Sequence, residues 1–274
     1  MERREQLIVV RGAGDLATGV IHRLHCCGYP VLALEIARPA AIRRKVAFSE
    51  AVYNGECTVE NVRCRRAANA GEAMEIIRSG DVALLIDPNA ECLNDVKPWA
   101  LVDAILAKKN LGTTKEMAPR TIALGPGFTV GEDVQLVIET KRGHNLGRII
   151  RQGSAAPNTG IPGVIAGYGK ERVIHAPAQG IFEGAAAISD TVERGQLIGQ
   201  IDTGKGKVPV CASISGILRG ILPDGYPVSK GFKLADIDPR PEERENCFTI
   251  SDKARCIAGS VLAGLLELEL EVKP

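Results

Sequence analysis

Leu7-Ile8-Val9-Val10-Arg11-Gly12-Ala13-Gly14-Asp15-Leu16-Ala17 joins a short β-branched run to a two-glycine turn and the opening of a helical period. A strand that gives way to Gly-x-Gly-x-x-Ala at the head of a helix predicts a β-α-β unit on a parallel sheet. Gly12 and Gly14 permit a tight turn and a close backbone approach to a phosphate at the helix N-terminus, with Ala17 completing the pattern. The following strand is expected to end at Glu35, 23 residues after Gly12, where a carboxylate can take ribose hydroxyls. Asp15 argues the other way, because a carboxylate beside a pyrophosphate repels it unless a cation intervenes. A turn that keeps its glycines for packing alone stays open as the alternative.

Outward from this unit, residues 7–140 alternate apolar runs with helical stretches. Strands are expected at Leu7–Arg11, Pro30–Glu35, Val59–Arg63, Val82–Asp87, Thr121–Leu124 and Val134–Glu139, and helices at about 15–28, 70–79 and 98–108. Open sheets of this kind bind ligands at the carboxyl ends of their strands. Asp87, Gly125 and Gly127 fall at such ends, Asp87 as ligand contact or as strand-end cap. Arg38, Arg43 and Arg44 follow the second strand without an intervening acid, and Lys141, Arg142, His144, Arg148 and Arg151 form a second acid-free group. Both groups suit a phosphorylated or carboxylated ligand, or a solvated face. Asp103 and Lys109 sit where the 98–108 helix should end, the lysine placed to complement the helix dipole. His22, His25 and Cys26, at i, i+3 and i+4, could converge on zinc or simply pack.

From Lys141 to Gly169 there are seven glycines and no regular period, which predicts a long connection. Beyond it, residues 173–202 align with 209–238 at a constant offset of 36, with eight identities that include Gly180/Gly216, Ile181/Ile217, Ile201/Ile237 and Asp202/Asp238. A duplicated unit of this size cannot close a core alone, so two copies should pair into a quasi-two-fold β-barrel or sandwich over 171–240. The pattern resembles the biotinyl/lipoyl carrier fold, with Lys205 at the spacing of the modified lysine. Lys205 is flanked by Gly204 and Gly206 rather than methionines, and neither biotin nor lipoate is expected on it. The domains expected are 1–140 (Rossmann-like, nucleotide- or cofactor-binding), 141–170 (connection), 171–240 (duplicated barrel) and 241–274 (C-terminal helical segment).

The chain has 274 residues, a net charge of +1 and 4% aromatic residues. That supplies neither the cationic field nor the stacking surface of a nucleic-acid binder. The run from Leu7 to Val10 is too short for a signal-peptide core, and Ile257–Leu266 is too short for the ~20 residues of a membrane span, so a cytoplasmic protein without membrane contact is expected. The eight cysteines have no Cys-x-x-Cys spacing and are expected to be reduced, with no metal bound.

Several strings, in order along nearly the whole chain, resemble one family: Arg11–Gly19, Val102–Thr113 (Val-Asp-Ala-Ile-Leu-Ala-Lys-Lys-Asn-Leu-Gly-Thr), Leu124–Phe128, Val137–His144 (Val-Ile-Glu-Thr-Lys-Arg-Gly-His), Gly216–Gly220, Asp236–Arg240 and Ile250–Lys253. They are similar to the YqeB-type accessory proteins of selenium-dependent molybdenum hydroxylase systems. The resemblance implies a bacterial cytoplasmic maturation factor that binds molybdenum cofactor or a nucleotide and assists its modification or its insertion into an apo molybdenum hydroxylase. It is akin, in its Rossmann-like part, to the chaperones that load sulfurated molybdenum cofactor into xanthine dehydrogenases. On that reading Arg142 clamps an anionic group and His144 exchanges a proton with the cofactor. An NAD-dependent oxidoreductase using Gly12, Gly14 and Glu35 is the alternative. Self-association into a homo-oligomer is left open.

Overall fold

The computed structural model describes residues 3–158, 160 and 163–271. Met1 and Glu2 of the N-terminal stretch, Thr159, Ile161 and Pro162 of the expected connection, and the last three residues lie outside them. The chain forms two compact units, the first from Met1–Pro39, Ala47–Thr159 and Ile250–Pro274, the second from Ala40–Val46 and Gly160–Thr249. The fold is a mixed α/β architecture.

In the first unit, β1 (Ile8–Arg11), β2 (Val31–Glu35), β3 (Glu56–Val59), β4 (Val62–Ala67), β5 (Val82–Ile86), β6 (Ala100–Asp103), β7 (Thr121–Leu124), β8 (Leu136–Ile138) and β9 (Ile149–Ile150) make one sheet in the order β3-β4-β5-β2-β1-β6-β7-β8-β9. From β4 to β8 every pairing is parallel, and only the edge strands β3 and β9 run antiparallel. β1, β6 and β7 are buried along their whole length, as strands covered on both faces must be. Strand order reverses beside β1: β2 and β5 lie on one side, β6 to β8 on the other.

Two expectations are corrected. The stretch 98–108 is not a helix: Ala100–Asp103 is β6, paired with both β1 and β7, and the loop after it holds Leu106 and Lys108 at φ of 60° and 64°. A four-residue apolar run buried on both faces has no period that separates strand from helix, and left-handed residues then stop any helix. Asp103 and Lys109 therefore sit at a strand end and in a loop. Val59–Arg63 is not one strand but the turn of the β3–β4 hairpin, where Glu60 has φ of 52°.

No α-helix links β6 to β7, only a single 3-10 turn at Lys115–Met117. The C-terminal helix α4 (Asp252–Glu271) covers that part of the sheet instead, packing on β7, β8 and β9 and along α1 (Asp15–Cys26), which follows β1. Gly19 makes this crossing close, since a Cβ there would lie 2.8 Å from the Ala254 methyl. The 252–271 segment thus belongs to the first unit rather than standing apart, and Ala40–Val46 leaves it for the second. α2 (Glu50–Asn54) packs on β3 and β4, and α3 (Ala70–Arg78), capped by Asn69 accepting from the Glu72 N–H at 3.0 Å, packs on β4, β5 and β2.

The second unit realises the repeat strand for strand. The first copy supplies β10 (Val173–His175), β11 (Gly180–Gly184), β12 (Thr191–Val192) and β13 (Leu197–Asp202); the second supplies β14 (Lys207–Cys211), β15 (Gly216–Ile221), β16 (Tyr226–Val228) and β17 (Lys233–Asp238). They form two antiparallel sheets, β10-β17-β15-β12 and β14-β13-β11-β16. Exchanging each strand for its repeat mate turns one order into the other, so each sheet draws strands from both copies and neither copy closes a core by itself. Phe182, Ile198, Ile201, Leu218, Leu234 and Ile237 fill the space, joined by Ile42. Lys205 lies exposed in the β13–β14 hairpin, which Thr203 closes by accepting from the Lys205 N–H and donating to the Gly206 carbonyl.

Candidate functional site

At the carboxyl end of β1 the chain turns at Gly12 (φ 96°), where a Cβ would stand 2.9 Å from the Ala104 carbonyl oxygen. The glycine is thus required by the chain's own loop after β6. The Ala13 N–H donates to Glu35 Oε2 at 2.9 Å and the Ile36 N–H to Glu35 Oε1 at 2.8 Å. Burial pushes the Glu35 carboxyl up, and these two donors pull it partly back. Both oxygens therefore serve the turn. Gly14, the residue before α1, is different: no side chain caps the helix there, and nothing lies within 4 Å of where a Cβ would point. The first-turn N–H groups carry the positive end of the helix dipole, and no side chain caps them. Ala17 is buried in the α1 packing.

Beneath the reversal point lies a buried polar network that sequence reasoning did not assemble. Arg11, at the end of β1, stands opposite Asp103, at the end of β6. The Thr113 hydroxyl bridges them, accepting from Arg11 Nη1 at 2.5 Å and donating to Asp103 Oδ2 at 2.5 Å. Arg11 Nη2 donates to the carbonyls of Pro88 and Leu111. Asn110 accepts from the Thr113 N–H and donates to Asp133, which in turn holds the Thr129 N–H. Burial pushes the Asp103 carboxyl up, opposed by its bonds to Thr113 and the Ile105 N–H and by the Arg11 charge. The one sequence signal for this network is a charged residue closing an apolar strand.

The rim brings further residues to the same unit. Lys253, in the first turn of α4, is pushed below the usual lysine range by burial and by Arg142, against the pull of Asp15, Glu139 and Asp252. Lys253 is thus within electrostatic reach of those groups, a candidate that residue type and spacing alone do not single out. Arg142 forks onto Asp252 at 3.0 and 3.2 Å, so its guanidinium already holds a carboxylate, while His144 is exposed. Glu139 accepts from the N–H groups of Lys141 and Ala156 and so fixes the start of the 141–148 loop. Gly125 and Gly127 are held by contacts within the chain, to the Thr140 side chain and the Lys109 backbone respectively. Asp87 accepts from the N–H groups of Glu91 and Cys92, which outweigh burial and keep its carboxyl below the ordinary range; of its two readings, capping describes what it does.

Arg38 is exposed beyond β2, but Arg43 and Arg44 lie in the second unit, where Arg43 is buried and donates to the carbonyls of Asn246 and Thr249. Among the described residues no group of three or more His, Cys, Asp or Glu is arranged to hold a metal, so His22, His25 and Cys26 do not converge as a zinc site. All eight cysteines are free thiols. No helix among the described residues is long and apolar enough to cross a membrane.

No family model matches the chain. Over 264 residues, 96% of its length, it is 49% identical to the uncharacterized protein YqeB of Escherichia coli (strain K12), and it spans 48%, about half, of that relative. Among solved structures, an aspartoacylase family protein from Mesorhizobium loti is 12% identical with a TM-score of 0.30, over 86% of this chain and 85% of that one. A succinylglutamate desuccinylase/aspartoacylase from Rhodobacter sphaeroides is 14% identical with a TM-score of 0.28, over 85% of each chain. Likenesses that low carry no argument about fold or activity.

Proposed function

We propose that the carboxyl edge of the parallel sheet binds a phosphate-bearing cofactor, molybdenum cofactor or a nucleotide, and that the chain is an accessory factor that assists its modification or insertion into an apo molybdenum hydroxylase containing selenium. The observation that carries the binding claim is Gly14: a helix N-terminus without a side-chain cap, with room beside the glycine where the strand order reverses, in the unit where Lys253 and Asp15 lie close enough to interact. The order β5-β2-β1-β6-β7-β8 is that of dinucleotide-binding sheets, which place a phosphate at this helix. Ile36 and Ile86, 45% and 42% exposed at the ends of β2 and β5, offer apolar surface for a flat ring. The residues present thus fit such a group. Gly14 would approach the phosphate, and Lys253 would supply the cation that Asp15 otherwise repels. When bound, molybdenum cofactor would supply redox-active molybdenum, and this chain's part is to bind and orient it. The maturation role rests on the family resemblance of the strings above. NAD-dependent oxidation has weaker support, because Glu35, which should take a ribose, has both oxygens on backbone N–H groups. A carrier role for Lys205 rests on hairpin position alone, and an unmodified lysine remains the expectation.

Calorimetry with the pterin cofactor or a nucleotide tests this. Gly14→Asp, which has room for its side chain, should fold normally yet lose binding, because a second carboxylate meets the phosphate. Lys253→Ala should weaken binding about tenfold by removing a charge-assisted bond. Arg142→Ala should block hydroxylase activation in cells while changing stability by at most about 1 kcal/mol, because its pair with Asp252 is exposed. Unchanged affinity in Gly14→Asp would make the glycine turn purely structural.

A further inference from the structure

A second constellation lies at the far end of α1, away from Gly14. Cys26 Sγ is 3.8 Å from Nδ1 and 4.0 Å from Nε2 of His22, one helical turn earlier, and His22 Nε2 is 3.0 Å from Asn61 Oδ1 and 3.6 Å from Glu60 Oε2 in the β3–β4 turn. Two acceptors facing Nε2 keep the ring proton there and leave Nδ1, the ring nitrogen nearer the thiol, without one. Glu60 is held in place by accepting from the Ile250 N–H at 3.0 Å. His22, Cys26 and Glu60 line a cavity of about 280 Å³ with Cys27, Arg23 and Arg255. Burial, with Cys27 beside it, pushes the Cys26 thiol up, so the sulfur needs a base before it can attack.

We propose that Cys26 is a nucleophilic thiol with His22 as its base and Asn61 as the residue that positions His22, taking a small disulfide that carries carboxylates. The two arginines supply the preference for an anionic ligand. The electrophile is sulfur rather than acyl carbon, because the N–H groups of Cys27 and Gly28 already bond to the carbonyls of Arg23, Leu24 and His25 and leave no oxyanion hole. In the step, the Cys26 proton passes to His22 Nδ1. A bond forms between Cys26 Sγ and one ligand sulfur as the ligand's S–S bond breaks, and the departing thiolate takes the proton from His22. Thiol plus disulfide becomes mixed disulfide plus thiol, with no other oxidant.

The test uses the reduced full chain, oxidised glutathione as anionic probe, cystamine as cationic probe, and mass mapping of the adducts over time. Cys211, also exposed, is the internal reference. Cys26 should react with glutathione disulfide at least about a hundredfold faster than Cys211, the low end of what a positioned base contributes. His22→Ala should remove that advantage and added imidazole should restore it. Asn61→Ala should lower the Cys26 rate and Asn61→Asp should recover it. Replacing Arg23 and Arg255 by Ala should slow glutathione disulfide and not cystamine. Equal rates at Cys26 and Cys211, a Cys26 rate indifferent to His22→Ala, or faster reaction with cystamine in the wild type would each overturn the proposal.

Discussion

Gly216→Ala is expected to destabilise the duplicated β unit by about 3 kcal/mol or more, the upper range for forcing atoms into a packed interior. At φ of 153°, its Cβ would stand 2.2 Å from the Asp238 carbonyl oxygen on the neighbouring strand β17. The obstacle is backbone, which cannot swing away as a side chain can. Gly180 meets the Asp202 carbonyl at the same 2.2 Å, one repeat earlier, so Gly180→Ala should behave alike. Gly204→Ala is the control: its φ is 74° but nothing lies within 4 Å, so only the backbone preference is lost, about 1 kcal/mol. Hydrogen exchange read on peptides from 173–238 would show faster opening in the first two variants and little change in the third. Wild-type protection in Gly216→Ala would contradict the strand pairing described here.

Asp103→Ala should destabilise the first unit by about 3–5 kcal/mol, since it leaves the Arg11 charge buried without its carboxylate. Thr113→Val removes only the bridging hydroxyl and should cost about 1–3 kcal/mol. The pH dependence follows from the direction of the Asp103 shift. Burial raises its pKa in the folded chain, so the folded state binds this proton more tightly than the unfolded one. The stability this contributes is fully present below the unfolded pKa and is lost as pH rises through the folded one, and Glu35, raised for the same reason, adds to the trend. Asp87, held low, contributes oppositely, its share present above the unfolded value and lost as pH falls through the folded one. Urea titrations of wild type and Asp103→Ala across the acid range would separate these terms.

Local signals carried the parts of the fold that are locally determined. The β1-turn-α1 unit could be read because an apolar run, a glycine that needs positive φ and a helical period stand side by side. The 36-residue offset could be read because the same carbonyl approach demands a glycine in both copies. β6 could not, since four buried residues carry no period and its identity comes from pairing with β1 and β7. The site was half visible. Gly14 was in plain sight, but the close contacts that cover Gly12, Gly125 and Gly127 come from residues up to 93 positions away. Lys253 reaches the rim only because a helix from the end of the chain packs against α1, and Arg142 meets Asp252 across 110 residues. The 40–46 excursion that takes Arg43 into the second unit leaves no mark in composition.

The central claim, a phosphate-bearing cofactor on the Gly14 edge, is tested most directly by native mass spectrometry of the chain purified from cells that make molybdenum cofactor, beside Gly14→Asp prepared in parallel. The account predicts a phosphate-containing pterin or nucleotide retained by the wild type and absent from the variant. The bare polypeptide mass in both, or the same adduct in both, would contradict it.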